Sequence, residues 1–542
     1  MKKLSSRDRR SKPAFSGSWV LDTKRGPPDD RRENRFLRTE VFGGNESEPP
    51  LYRVVPVEYS MPEEDIITVG SIMEALKEEP PPQNIIDDEI AMRKFLERTS
   101  SAKAQELSGS SSADSSTLLG RITAQYTGGY GVIEHLLRDE RVQDVYIDSP
   151  PSAKPVYATL GGGLPRGLEG TYPTNIMLTE GELERIVSIL RYHSGLPFSE
   201  ASPVLECDLT LYNARVTAVR PPMSPQGISI AIRKHSHDPW TLLRLMDAGA
   251  ISAEGAAFLS LCIEGRSTMM IAGPRGAGKT SLLGALLFQV ARSQRMIVIE
   301  DTPELPTGPL NKAGYKVLGL TIGSTGASTS ETALRTALRL GESVLVLGEV
   351  RGPETRTLYE AMSAGTAGSA VLGTFHADSA KAVYKRTVDD LGVSAASFNA
   401  TDLVVVSGLV QPKGKRIRLR RVIQIAEVVK DGPPGSFRDL FLYNTAASKL
   451  AATQDLASSS ILGRIARLWG MSKTEVVNEM GLRTRVLEKA QADLERKELM
   501  APSTISRIWE TYHNVRDRAL DGKWMDDHPR FISEWTWAFG GA

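Results

Sequence analysis

Gly273-Pro274-Arg275-Gly276-Ala277-Gly278-Lys279-Thr280, followed by Ser281, matches the pattern Gly-x-x-x-x-Gly-Lys-Ser/Thr at every fixed position. Met269-Met270-Ile271-Ala272 precedes it as a buried strand, and Ser281-Leu282-Leu283-Gly284-Ala285-Leu286 continues it as a helix. This order of strand, glycine loop and helix decides the fold class and points to phosphate. The glycines let backbone N–H groups turn inward around a β-phosphate, and Lys279 neutralises β/γ oxygens. Thr280 offers its hydroxyl to Mg²⁺ at a helix N-terminus whose dipole favours anions. Residues 273 to 281 are the candidate nucleotide-binding set, with ATP and Mg²⁺ as the expected ligands.

Outward from the loop, the alternation continues across residues 250–430. Met296 to Ile299 reads as a strand, Leu334 to Leu338 as part of a helix, and Val344 to Leu347 as a strand. A helix opened by Pro353 and closed near Gly365 leads to a further strand at Ala370 to Phe375. Strands alternating with helices mean an α/β domain whose parallel sheet is covered on both faces.

Ligands of such sheets lie beyond the carboxyl ends of the strands, and three of those ends carry reactive groups. Val344-Leu345-Val346-Leu347 runs into Gly348-Glu349-Val350-Arg351, which makes Glu349 the candidate water-polarising base. Gly348 stands where many phosphate-loop enzymes keep a metal-coordinating aspartate. Ile299-Glu300-Asp301-Thr302-Pro303-Glu304 places three carboxylates just past another strand. Glu300 is the candidate to position the attacking water and Asp301 to hold Mg²⁺ through water, although such acids also cap turns. Gly373-Thr374-Phe375-His376 sets a histidine after a fourth strand. Alone it is more often structural, so phosphate sensing by His376 rests on its neighbours.

Taken together, the glycine loop, Ile299-Glu300-Asp301 with Glu304, Val346 to Arg351, and Gly373-Thr374-Phe375-His376 resemble the ordered motif set of the type II/type IV secretion superfamily ATPases. In that family these are the Walker A, the Asp box, an atypical Walker B with Gly before the catalytic Glu, and the His box. Upstream, Asn213-Ala214-Arg215-Val216, Pro221-Pro222 and Gly227 to Lys234 are similar to the domain that precedes the family's motor. The resemblance implies that Arg215 and Arg233, with Arg220 a third choice, complete the site, because a fixed cationic fork stabilises developing phosphoryl charge. It implies a RecA-like motor that works as a homohexamer and pushes on a polytopic membrane platform protein, assembling pilin-like filaments or driving secretion. It also implies a place in the cytoplasm, at the inner face of the membrane.

Many bacterial members carry a four-cysteine zinc module, which Cys207 and Cys262 cannot build. The chain therefore looks more like the archaeal branch of the E-type secretion ATPases, the motors for archaella and type IV pili. His235-Ser236-His237-Asp238 lacks further clustered ligands and reads as a loop.

Composition bounds the rest. At 542 residues the chain is long enough for three or four folding units. With Lys+Arg 66 against Asp+Glu 65, no global field draws in nucleic acid. A nucleic-acid translocase would need a basic stripe with interleaved aromatics, and aromatics make up 6%. A catalytically silent scaffold is the other competitor, and Lys279, Thr280, Glu349 and His376 speak against it. The richest apolar stretches, such as Leu282 to Ala291, are about ten residues long and fall short of the ~20 that span a bilayer.

The expected organisation begins with a disordered basic tail over 1–50, whose first 40 residues hold 12 Lys/Arg against 6 Asp/Glu. A small module over 51–98 and a Ser/Gly linker over 99–118 follow. Next come an α+β domain over 119–245, where Thr179-Glu180-Gly181-Glu182 reads as a capping box, and the RecA-like domain over 250–430. A helical C-terminal region occupies 440–542, with Ser472 and Glu475 capping one helix.

Overall fold

A computed structural model describes residues 17–540 apart from 22–24, 45–47, 83–84, 86–87, 109–112, 162–163, 165–167, 169, 235–238, 323–328, 342, 364–369, 412–417, 495–497, 499–500 and 519–527. The chain divides into two compact units, Met1–His237 and Asp238–Ala542, where three or four were expected. The linker over 99–118 and the separate module over 51–98 are absorbed into the first unit.

That unit contains β1 (Ser18–Val20), β2 (Asp30–Glu33), β3 (Leu37–Phe42), β4 (Leu51–Pro56), α1 (Glu63–Lys77), α2 (Glu89–Ser108) and α3 (Ala113–Thr127). It continues through α4 (Ile133–Arg138), β5 (Val142–Ile147), β6 (Tyr157–Leu160), β7 (Gly170–Pro173), β8 (Ile176–Leu178), α5 (Glu180–Ser194), β9 (Val204–Leu209), β10 (Ala214–Val219) and β11 (Ser229–Lys234). Strands β1 to β3 overturn the expectation of a disordered tail as far as residue 17; residues 1–16 lie outside the described set. The apolar signal there is sparse: Val41 and Phe42 are buried at the end of β3, with Val41 beside Tyr52 of β4, while Arg31, Arg32 and Glu33 of β2 face water. Helices α2 and α3 occupy most of the expected linker, with Leu96, Ala104, Leu119 and Ile122 in their common core.

The main sheet of this unit has the order β7-β6-β5-β11-β10-β9, with every neighbouring pair antiparallel. Ala214, Val216 and Ala218 of β10 face its core, so Arg215 lies on the opposite face. Thr179 caps α5 by accepting the Glu182 N–H at 3.0 Å, yet the reciprocal half of the box is absent. Glu182 pairs instead with Arg185, and the Thr179 N–H donates to the Gly17 carbonyl at 2.8 Å.

The second unit opens with α6 (Leu242–Asp247), α7 (Ala253–Glu264), β12 (Met269–Ala272), α8 (Lys279–Leu287), β13 (Arg295–Glu300), α9 (Thr307–Lys312) and β14 (Lys316–Thr321). Then come α10 (Ser330–Arg339), β15 (Val344–Val350), α11 (Glu354–Ser363), β16 (Ala370–Phe375), α12 (Ala380–Lys385), α13 (Ala395–Phe398), β17 (Leu403–Val410), β18 (Leu419–Val428), β19 (Phe437–Asn444) and β20 (Lys449–Ala452). Helices α14 (Ser460–Trp469), α15 (Lys473–Asp493), α16 (Pro502–Arg518) and α17 (His528–Gly540) complete it. The expected stop of α11 at Gly365 lies outside the described residues. The helical region begins later than 440, because β19 and β20 carry the sheet to Ala452.

Nine strands form one sheet in the order β14-β13-β15-β16-β12-β17-β18-β19-β20, parallel from β14 to β17 and antiparallel beyond. Alternation divides its side chains between two cores. Met269, Ile271, Met296, Val298, Val344 and Val346 pack under α7 and α8. Met270, Ala272, Ile297, Ile299, Leu345 and Leu347 pack under α10 to α13. The chain leaves β12 through α8 on one face and its neighbour β16 through α12 on the other, and loops that diverge in this way open a crevice between them.

Helices α14 to α17 join the first core through Ile461, Leu462, Ile465, Val476, Val486 and Trp535. Buried Glu427 of β18 accepts the Ile461 N–H at 2.7 Å and the Ser460 hydroxyl at 2.6 Å, fastening the start of α14. Buried Asp402 accepts the Thr268 N–H at 2.9 Å and pairs with Arg464 at 2.9 Å. Ser472 forms a complete capping box with Glu475 at the start of α15. A Ser472→Ala chain is expected to lose about 1 kcal/mol of stability, read as a lower urea midpoint at unchanged slope.

Candidate functional site

The glycine loop leaves the carboxyl end of β12 and feeds α8. Gly276 and Gly278 adopt φ of +76° and +88°, a left-handed conformation that lets successive peptides turn around a small anion. Lys279, the first residue of α8, is buried; its ammonium donates to the Pro274 carbonyl at 3.1 Å and stands 3.5 Å from His376 Nδ1. Burial lowers the Lys279 pKa, with Glu349 and Glu304 acting against that shift.

His376 follows the end of β16, the immediate neighbour of β12. Burial and the nearby Lys279 lower its pKa, which favours the neutral ring. A cationic donor on one side and a carboxylate on the other fix the tautomer. Nδ1 faces Lys279, and Nε2 stands 3.2 Å from Glu349 Oε1. Arg386 donates to the His376 carbonyl at 2.7 Å and steadies the backbone there.

Glu349 reaches this position through a bulge. The register of β15 on β16 shifts between Leu347 and Val350, so one extra residue is accommodated on β15 where Gly348 and Glu349 stand. Bulges re-aim side chains at strand ends. Gly348 is packed so closely on β13 that a Cβ there would lie 2.9 Å from Glu300 Cγ. An aspartate cannot occupy that position without displacing Glu300. Thr374 of β16 donates to the Gly348 carbonyl at 2.5 Å and holds the bulge.

Arg351 extends the network, lying 3.7 Å from Glu349 Oε2 and hydrogen-bonded to Asp301. Lys279, His376, Glu349, Arg351 and Asp301 thus form one chain of alternating polar contacts across adjacent strand ends. Arg351 was not singled out from the sequence, although it stands two residues beyond Glu349 in the same stretch.

The structure places Glu300 differently from the reading of a water-positioning group. It is 6% exposed, and its Oε1 accepts the N–H groups of Glu304 and Leu305, each at 2.9 Å. It closes its own turn. Burial pushes its pKa up to about 7. A carboxyl whose folded value is raised is destabilising once ionised, so stability falls as pH rises from 4.5 to about 7, by at most ~1.4 kcal/mol per pH unit. Glu300→Gln keeps an oxygen for both N–H groups. Its Tm is expected to exceed the wild type's at pH 8 and to match it at pH 4.

Arg215 and Arg233 belong to the first unit, where they are direct cross-strand partners on β10 and β11. Arg215 pairs with Glu206 at 2.9 Å, while Arg233 is 70% exposed with Asp144 at 4.0 Å. Arg220 donates to the Phe198 carbonyl at 3.4 Å. Residues 235–238, with both histidines of the loop noted in the sequence, lie outside the described set. Among the described residues no group of three or more His, Cys, Asp or Glu could hold a metal ion, and no helix is long and apolar enough to cross a membrane.

Residues 199–461 match the family model described as type II/IV secretion system protein. An uncharacterized protein of Methanocaldococcus jannaschii is 28% identical over 373 residues, which cover 67% of this chain and 64% of that protein. A second from the same organism is 30% identical over 251 residues, 45% of this chain and 88% of its own length. The type IV secretion system protein PtlH homolog of Bordetella bronchiseptica is 32% identical over 194 residues, 32% of this chain and 57% of that protein. The matched span contains the glycine loop, the bulged strand and the histidine strand in one stretch, and the chain belongs to the type II/IV secretion system protein family.

Proposed function

We propose that the protein is an ATP-hydrolysing, RecA-like motor that powers assembly of type IV pilus- or archaellum-like filaments, or type II-like secretion, through a membrane platform protein. The observation that carries this reading is the contact of Lys279, His376 and Glu349 at the ends of three neighbouring strands, with His376 3.5 Å from one and 3.2 Å from the other. A cationic donor, a neutral imidazole and a carboxylate converge where a glycine loop turns around anions.

In this reading Lys279 and the loop N–H groups bind the phosphates. Glu349 takes a proton from the attacking water, and His376 relays the position of Lys279 to Glu349. The donor set fits a Mg²⁺-nucleotide: the Thr280 hydroxyl at the start of α8 would hold the ion, with Asp301 acting through water once it shares its contact with Arg351. Magnesium, when bound, neutralises phosphate charge. Arg215 and Arg233 are proposed to complete charge stabilisation within a homohexamer, the protein acting in the cytoplasm at the inner face of the membrane.

The test is phosphate release from Mg²⁺-ATP by the purified chain, with nucleotide binding measured in parallel. Binding and turnover, both lost on chelation of Mg²⁺, are the expected result. Binding without turnover, even with anionic lipid and a platform protein present, would favour a scaffold. Turnover stimulated by single-stranded DNA in a salt-sensitive way would favour a translocase.

A further inference from the structure

Three consecutive residues of β18 hold three other points of the second unit. Arg420 donates from Nε to the Gly276 carbonyl of the glycine loop at 2.9 Å. Arg421 donates from Nη1 to the Ala248 carbonyl, just past α6, at 3.0 Å. The Val422 N–H donates to the Ala250 carbonyl at 2.8 Å. One residue of the strand is bonded to the loop, and the next two are bonded to the turn between α6 and α7.

The Gly276 carbonyl and the Ala277 N–H share one planar trans peptide and point in opposite directions. Holding the carbonyl on Arg420 therefore directs the Ala277 N–H to the inner side of the loop. There it donates to the Pro274 carbonyl at 3.3 Å, the same oxygen that accepts from Lys279 at 3.1 Å. A phosphate oxygen competes with that carbonyl for both donors. When it wins, the peptide at 276–277 adjusts, and Arg420 is the side chain that feels the adjustment.

We propose that Arg420 is a positioning residue of the phosphate loop and that, with Arg421, it carries the state of that loop to the turn at 248–250. The inference rests on the nucleotide-site reading above. In sequence that turn lies about ten residues past the division between the two units, so the signal arrives at the start of the motor unit rather than at its helical tail.

The test uses the full-length chain, a fluorescent ADP analogue with Mg²⁺, and backbone hydrogen exchange over 245–256. ADP at saturation is expected to change exchange at the turn in the wild type. Arg420→Gln, which removes a charge-assisted bond, is expected to bind about tenfold more weakly and, when saturated, to leave the turn unchanged. Arg421→Gln is expected to bind as the wild type does yet lose the change at the turn. Arg420→Lys, which keeps charge without the Nε geometry, is expected to behave as Arg420→Gln. If it matches the wild type, charge near the phosphates is what acts and the positioning role falls. A wild type that binds ADP with no change at the turn overturns the inference and leaves the nucleotide site standing. A wild type that binds no ADP removes both.

Discussion

Glu349→Gln is expected to bind Mg²⁺-ATP as the wild type does and to release phosphate about 10²–10⁴ times more slowly, the range that a positioned general base contributes. The amide keeps an oxygen for the 3.2 Å contact with His376 Nε2, so the geometry of the strand end survives while the proton acceptor is lost. Its contact with Arg351 loses charge, but Arg351 keeps Asp301. Phosphate release under saturating ATP, beside a binding titration, separates the two effects. Turnover within threefold of the wild type would remove Glu349 as the base. The carboxylate of Asp301 would then be the next to test.

Arg483→Ala is expected to cost the second unit about 3–5 kcal/mol, the range for breaking a buried ion network from one side. Arg483 is 1% exposed. It donates to Glu479 at 3.0 Å and to the Ser260 hydroxyl at 3.3 Å, and it is hydrogen-bonded to Glu264 at the end of α7. The rings of Trp509 and Tyr512 from α16 lie 5.4 Å from its guanidinium. Without it, the carboxylate of Glu479 stays buried, with Arg516 at 3.4 Å as a remaining cationic partner. Urea unfolding reads the loss, and replacing Arg483 and Glu479 together by methionine is expected to recover most of it. Burial opposes ionisation of Glu264, yet Arg483 and His513 hold its pKa down to about 2. The stability it contributes is therefore complete above pH 4.5 and is lost as pH falls toward 2.

The parallel part of the sheet was legible because its strands are short apolar runs bounded by glycine and charge: 269–272, 344–347 and 370–375 appear where the sequence places them. Glu349 and His376 were legible for the same reason, since a residue just beyond a buried run must lie at a strand end. Glu300 shares that position but turns back on its own backbone, and nothing local distinguishes a carboxylate that faces a ligand from one that closes a turn. The bulge at Gly348 depends on the register with β16, which a single strand does not carry. Arg420 sits 144 residues from the glycine it touches. Strands β2 and β3 were missed because they carry little apolar pattern of their own: Asp30 to Glu33 is charged throughout, and in β3 the polar Thr39 and Glu40 are buried beside Val41 and Phe42.

The packing of α14 to α17 on α7 has a consequence for solubility. Phe258, Leu259 and Cys262 of α7 belong to the same core as Ile465, Val486, Ile508 and Trp535. A polypeptide ending at 430 would keep the glycine loop, Glu349 and His376, but it would present that face of α7 to water as a contiguous apolar patch. Patches of this kind promote association between molecules. The second unit is therefore expected to stay soluble only with the helices at its end, and trimming them is expected to yield aggregates.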